Sequence, residues 1–292
     1  MKRNQVLALD HQLTRLLSIL RTARYAGHCC FTTGDFCYRW QTETAAAAPP
    51  ETRIWTDASG SDTGFGWLSG DQLHIVTSTE TDILRAEILD WGEAQLERGG
   101  HARALRIPLD QRSDGWRSLL AERGYQPSEP TLVLRSRALE SSPASQTLAG
   151  GYRIEHVTTP AQAAGWASAY REAFAPEAMT SAVRRAICAS PLYRPELDLV
   201  ACDADGAIVA FALAWFDPVT ATGTFEPLGC VPAHQRRGLS RELLLAGLRR
   251  LRALGARRAF VTTTTRRIPA NRLYASIGFH VAALSPTWRK PA

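Results

Sequence analysis

From residue 6 the apolar positions Val6, Leu9, Leu13, Leu16, Leu17 and Leu20 recur at spacings of three and four. That period lays a single apolar stripe along a helix. Asp10, His11, Gln12 and Arg15 interrupt it, so the basic start "MKR" does not lead into the apolar core of a signal peptide. Beyond residue 151 the pattern alternates between two periods. "GYRIEHV" reads as a strand, and "PAQAAGWASAYREAF" and "TSAVRRAICAS" as helices. "LDLVACDADGAIVAFALAWF" reads as a hairpin turning at Asp205-Gly206. A strand over 224–231 leads into a helix from about Leu239 to Leu254. A strand "RRAFVTT", a helix near Asn271 to Ser276 and a last strand "FHVAAL" complete the series. Strands alternating with helices in this way imply an α/β protein, or an α+β one, with a mixed sheet.

The clearest break in the patterning is "LESSPASQTLAGG", which has small and polar residues without apolar period and reads as a linker. It divides the chain into residues 1–139, a linker at 140–150 and residues 151–292. The first part echoes the second. "HARALRIPLDQRSDGWRSLLAERGY" ends in Gly124-Tyr125, and "ARRAFVTTTTRRIPANRLYASIGF" ends in Gly278-Phe279, 154 positions later. Along that fixed offset Gly238 falls on Leu84 and Tyr274 on Leu120, so the first copy repeats the scaffold without those two residues.

A length of 292 residues suits two domains, and 45% apolar with 21% charged residues is ordinary for a soluble globular chain. The net charge of +6 favours an anionic partner. The excess is arginine, since Lys2 and Lys290 are the sole lysines. A nucleic-acid binder would spread its arginines along a face with aromatic platforms, whereas many here lie in one helix and its flanking turns. Six cysteines (Cys29, Cys30, Cys37, Cys188, Cys202 and Cys230) show no C-x-x-C spacing and no clustered histidines, which argues against a structural metal. We expect reduced thiols, a cytoplasmic protein, no nucleic acid and no membrane partner.

The candidate chemistry gathers at "PAHQRRGLSRELLLAGL", residues 232–248. The strand must end before Pro232, so the segment Gln235 to Ser240 leaves several backbone N–H groups at a helix mouth without helical acceptors. The helix dipole favours negative charge there, and Gly238 lets a ligand approach the main chain. Arg236 and Arg237 add positive charge at the rim. Leu244, Leu248 and Leu251 are spaced to bury one helix face on a sheet.

"QRRGLS" resembles the Q/R-x-x-G-x-G/A acyl-CoA signature of the GNAT superfamily of N-acetyltransferases, and "LYASIGF" resembles its last helix and strand. The tandem arrangement is similar to that of mycothiol synthase-like proteins. The resemblance implies tandem GNAT-like folds with a degenerate N-terminal copy, acetyl-CoA as acyl donor and no metal. It departs at Ser240, where the family prefers Gly or Ala, and at Arg267, near where many members carry an asparagine. The implied donor-binding residues are Leu228, Cys230, Val231, Gln235, Arg236, Arg237, Gly238, Leu239, Ser240, Arg241 and Asn271, with the N–H of Cys230 or Val231 polarising the thioester oxygen.

Strand alternation would place Thr224, Glu226, Leu228 and Cys230 on one face, which makes Glu226 the candidate base or, alternatively, the group that binds the substrate's cation. Tyr274 carries the implied general acid, against its reading as a packed ring. The acceptor should enter between the halves. Met179, Tyr193, Trp215 and Phe216 are candidates to line its pocket or to belong to the core, and "FTTGDFCYRW", with Asp35 and Trp40, to close a wall. The expected activity is acetyl transfer to a primary amine of a small molecule by a monomer or homodimer. The alternatives are peptide or protein N-acetylation and a non-catalytic acyl-CoA sensor.

Overall fold

The computed structural model describes residues 2–25, 31–45, 50–99, 104–141, 148, 150–175 and 179–291, without the side chains of 2–10, 24 and 25. Most of the expected linker, Cys29 and Cys30, and the side chains of Val6 and Leu9 lie outside the described residues. The elements form two series. The first runs α1 (Lys2–Tyr25), α2 (Thr33–Thr44), β1 (Glu51–Thr56), β2 (Asp62–Ser69), β3 (Gln72–Thr77) and α3 (Asp82–Arg98). It continues through β4 (Ile107–Pro108), α4 (Asp114–Glu122), β5 (Gln126–Pro127) and β6 (Leu132–Ala138). The second opens with β7 (Arg153–His156) and then repeats that order: α5 (Pro160–Ala173), α6 (Ser181–Ala189), β8 (Asp198–Cys202), β9 (Ile208–Asp217), β10 (Thr222–Cys230) and α7 (Leu239–Ala253). It ends with β11 (Arg258–Thr264), α8 (Ile268–Ser276), β12 (His280–Ser285) and β13 (Thr287–Arg289).

The echo of Gly-Tyr and Gly-Phe is therefore a structural repeat. Gly124 and Gly278 end α4 and α8 in the left-handed region, at φ of 80° and 84°. In each case the following aromatic N–H reaches back into the helix, Tyr125 to the Leu120 carbonyl and Phe279 to that of Tyr274. Glycine at such a helix end avoids the cost a Cβ would carry. The hairpin between β8 and β9 also forms where the sequence places it, with Asp203 accepting from the N–H groups of Asp205 and Ala207 across Gly206.

Sequence patterning did not reveal that the two series exchange strands. The second half's sheet has the order β12-β6-β11-β10-β9-β8-β7, so β6 of the first half lies between two strands of the second. In return β13 inserts between β4 and β5 of the first half. The register of β6 on β11 runs unbroken from Arg258↔Ala138 to Thr264↔Leu132. One face of the large sheet packs on α7 through Leu244, Leu248 and Leu251, the stripe expected for that helix. The other face packs on α2 and α5, with Trp166, Phe211 and Trp215 at the centre, while α6 packs on those two helices and α1 on β2 and β3.

Trp288 of β13 is 6% exposed and belongs to the first half's core beside Ile107, Trp116 and Tyr125. Trp288→Ala should cost about 3–5 kcal/mol, as for other buried aromatics. Urea unfolding should show a lower midpoint, with hydrogen exchange accelerated in β4 and β5, far from residue 288 in sequence. An unchanged midpoint would show that the inserted strand does not support the first half.

Candidate active site

Strands β10 and β11 run parallel from Thr222↔Arg258 to Phe225↔Val261 and then part. The cause lies in β10. Pro227 has no N–H for the ladder, and the pairing with β9 shifts register between Phe225 and Leu228. This overturns the simple alternation expected for the strand. Thr224 faces α2, where its hydroxyl donates to Thr32 Oγ1 at 2.8 Å. Leu228 and Cys230 instead pack with the cluster beneath α7. Glu226 sits in the irregular stretch itself, half-buried, with its carbonyl held by the Trp215 indole N–H at 2.7 Å.

The parting opens a cavity of about 870 Å3, lined by residues 226–230 on one side and 261–264 on the other. The mouth of α7, residues 269, 270, 273 and 274 of α8, Leu132 and Leu134 of β6, and Phe31, Asp35, Tyr38 and Arg39 of the first half also line it. Glu226 and Tyr274 both face it. Tyr274 is 5% exposed, and its hydroxyl is held well above the ordinary 10.0, first by burial and then by the negative charge of Glu226. The phenol is therefore protonated through neutral pH and is able to donate a proton.

The mouth of α7 opens into this cavity. Gly238 is the N-cap at φ 81°, no side chain caps the helix, and a Cβ built there would meet nothing within 4 Å. Arg236 also takes a positive φ, 62°, which turns the loop back on itself before the helix. The first bond of the helix from this loop is Glu242 N–H to the Gly238 carbonyl, which leaves the N–H groups of Leu239, Ser240 and Arg241 without i−4 acceptors. Gln235, Arg236, Gly238, Leu239, Ser240 and Arg241 all line the cavity. Gln235 is tied to it by its side-chain N–H to the Cys230 carbonyl, 3.2 Å.

Several expectations for individual residues change. The N–H of Val231 bonds the Val209 carbonyl at 2.9 Å, so it cannot polarise a substrate in the cavity. Strand alternation turns the neighbouring N–H of Cys230 the other way, into the gap between β10 and β11. Asn271 is also committed elsewhere. Its amide donates to the carbonyls of Thr264 and Arg267 and accepts from Arg135, an arrangement that ties α8 to β11 and β6. Met179, Trp215 and Phe216 are buried in the core, and the Tyr193 hydroxyl donates to Asp198. None of the four lines the cavity, and neither do Arg237 or Trp40. His234 does, with Nδ1 2.9 Å from the Tyr152 hydroxyl. Burial pushes the Cys230 thiol up to about 11, which disfavours the thiolate that a nucleophile needs.

The wall that sequence patterning left vague is aromatic: Phe31 and Tyr38 from the first half line it together with Tyr170 of α5 and Phe174, which caps that helix. The Tyr38 hydroxyl donates to that of Tyr170 at 3.1 Å and closes the seam between the halves. Asp35 of this wall is 4% exposed. A threonine followed three residues later by an acid, Thr32 and Asp35, is the legible signal for the helix start that carries it.

The corresponding helix mouth of the first half is closed. Its N-cap is Thr81, three positions before the Leu84 that a fixed offset selects, and the Thr81 hydroxyl accepts from the Leu84 N–H at 3.2 Å. Arg85, 7% exposed, lies between Glu80 and Asp82 and reaches α4, where a Cβ on Gly115 would lie 2.5 Å from its guanidinium carbon. That side chain occupies the space between the start of α3 and α4. Among the described residues no cluster of His, Cys, Asp and Glu could hold a metal, and no described helix is long and apolar enough to cross a membrane.

The comparisons with known proteins agree with this geometry. The profile of the Acetyltransferase (GNAT) family matches residues 163–279, the stretch that carries β10, the α7 mouth and Tyr274. A mycothiol acetyltransferase of Thermomonospora curvata is 30% identical over 211 residues, which cover 66% of this chain and 70% of that protein. Among solved structures, a GCN5-related N-acetyltransferase from Sphaerobacter thermophilus superposes with a TM-score of 0.67 at 19% identity, covering 93% of this chain and 92% of that one. A tandem GNAT protein from the clavulanic acid biosynthesis pathway superposes with a TM-score of 0.66 at 16% identity, covering 97% and 96%. The chain belongs to the GNAT family and is an N-acetyltransferase of tandem architecture.

Proposed function

We propose that this enzyme transfers the acetyl group of acetyl-CoA to a primary amine of a small molecule, by direct attack of the amine on the thioester. The observation that carries the reading is an unfilled helix mouth opening into the same cavity as Glu226 and Tyr274. Residues 151–292 form the catalytic unit, completed by β6 and α2 from residues 1–139. The diphosphate of the donor is bound by the N–H groups of Leu239, Ser240 and Arg241, with Arg236 at the rim. Acetyl-CoA supplies the activated acyl group and a thiolate leaving group. The Cys230 N–H, directed into the gap, polarises the thioester oxygen as charge develops on it. Glu226 takes the proton of the attacking amine. Tyr274 returns one to the departing sulfur, so the thiolate does not leave as a free anion.

Two outcomes check this reading. Acetyl-CoA should raise the melting temperature of the parent. Gly238→Val, which forces a branched residue into the left-handed region at the ligand's approach, should remove most of that shift. No shift in the parent at saturating acetyl-CoA would end the proposal.

Tyr274→Phe should lower kcat by about a hundredfold with little change in KM for acetyl-CoA, read from free thiol release. Because the Tyr274 hydroxyl is held above 10.0, its deprotonation should not limit kcat of the parent at pH values below that. Glu226→Gln should lose most at low pH, where the amine most needs a base. Parallel pH profiles for that variant and the parent would remove Glu226 from proton transfer.

A further inference from the structure

The strongest unexplained feature of the cavity is Asp35. Its carboxylate is delivered by α2 of the first half and fixed on both sides of the parted strands. On the β10 side Gly34 lies so close that a Cβ there would sit 2.6 Å from Thr224 Cβ and 2.7 Å from Trp215 Cβ. The Thr224 hydroxyl bonds Thr32 of the same helix start. On the β11 side the Thr262 hydroxyl donates to Asp35 Oδ2 at 2.9 Å. One step beyond the last pair, Phe225↔Val261, Glu226 would stand opposite Thr262. Asp35 thus sits at the level of Glu226, in the opening itself.

The capping role of Asp35 accounts for only half of the group. Oδ2 accepts from the Thr32 N–H at 3.3 Å and from Thr262, while Oδ1 is buried without a hydrogen-bond partner. An unmatched buried oxygen of this kind costs about 1–3 kcal/mol, and more when charged. Burial pushes the Asp35 carboxyl up, and a donor placed on Oδ1 would offset this and hold it ionised.

We infer that Asp35 Oδ1 receives a second hydrogen-bond donor of the acceptor, a hydroxyl or ammonium group vicinal to the reacting amine, so that the enzyme selects amino alcohols and diamines over simple alkylamines. The inference rests on the acetyl-transfer reading above and names the acceptor class for that site. The close spacing follows from the shared level of Asp35 and Glu226. Asp35 orients the acceptor, and Glu226 keeps the proton transfer. The aromatic wall of Phe31, Tyr38, Tyr170 and Phe174 would flank the carbon skeleton between the two groups.

The test uses the full-length enzyme with acetyl-CoA and matched acceptors: 2-aminoethanol against propylamine, and trans-2-aminocyclohexanol and trans-1,2-diaminocyclohexane against cyclohexylamine. In the parent, kcat/KM should favour the vicinal donor by about tenfold or more within each pair, the range of a hydrogen bond to a charged group. Asp35→Asn keeps an oxygen for the cap and should bring those ratios close to one. Differences in amine basicity within a pair are common to variant and parent and cancel. Thr262→Val, which frees the carboxylate without removing it, should raise KM for the vicinal-donor amines several-fold at constant kcat, and Thr262→Ser should restore it. This second pair decides the matter if Asp35→Asn fails to fold. Ratios that are the same in parent and variant overturn the inference. So does a parent that binds acetyl-CoA yet acetylates none of the vicinal-donor amines. A parent that does not bind acetyl-CoA overturns the transferase reading and this one together.

Discussion

The parting of β10 and β11 after Phe225 and Val261 is the constraint on which the rest of the molecule depends. A parallel pair in the middle of a sheet would normally bury both edges in continuous hydrogen bonds. Pro227 cannot join such a ladder, and the register shift around it releases the main chain from 226 onward. The cost of those lost bonds is borne because the strands are held on their outer edges. β9 grips β10 by antiparallel pairing on both sides of the irregularity, and β6 grips β11 along its whole length. The opening is therefore rigid, and the N–H groups it exposes point at fixed places. Such preorganised donors are what stabilises charge developing on a reacting oxygen.

Because β6 comes from the first half and β13 is returned to it, neither half is complete alone. The exchange gives a physical reason for a full second copy of the scaffold beside the cavity. The first half supplies the strand that braces β11 and the helix, α2, that closes the cavity from above. Gly34 makes the second contribution exact in depth, since any side chain there would hold α2 away from Thr224 and Trp215. Tyr38 and Tyr170 then join their hydroxyls across the seam. Packing, strand pairing and the site are coupled through the same few contacts.

Much of this was legible along the chain, for reasons that also explain what was missed. The α7 mouth is a local object: a strand end, a glycine in the left-handed region and a leucine stripe, all between Cys230 and Leu251. The Gly-aromatic endings of α4 and α8 are local too. The β13 strand is three residues long, and its partners lie more than 150 positions away, so no periodicity announces it. Alternation failed along β10 because a two-residue period presumes an unbroken ladder, and Pro227 breaks it. Trp215 and Phe216 lie on a central strand covered on both faces, where apolar character says nothing about which ring reaches a cavity. Asn271 has the right chemistry for a ligand, and its three partners, one of them Arg135 of the first half, become visible only in three dimensions.

The two helix mouths show how the same scaffold becomes a site or a plug. At α7 the cap residue is Gly238, which offers no side-chain oxygen to the N–H groups of the first turn. At α3 the cap is Thr81, whose hydroxyl satisfies one of those groups, and Arg85 occupies the adjoining volume with its charge neutralised by Glu80 and Asp82. A Thr N-cap is worth about 1 kcal/mol to its helix, and a filled, paired pocket avoids the desolvation of unmatched donors. The first half thus satisfies its helix mouth from within, and the second half leaves the corresponding groups without a capping side chain. Asp35 resembles the α7 mouth in one respect: its Oδ1 is buried without a hydrogen-bond partner, a second place beside the cavity where folding leaves a polar group unmatched.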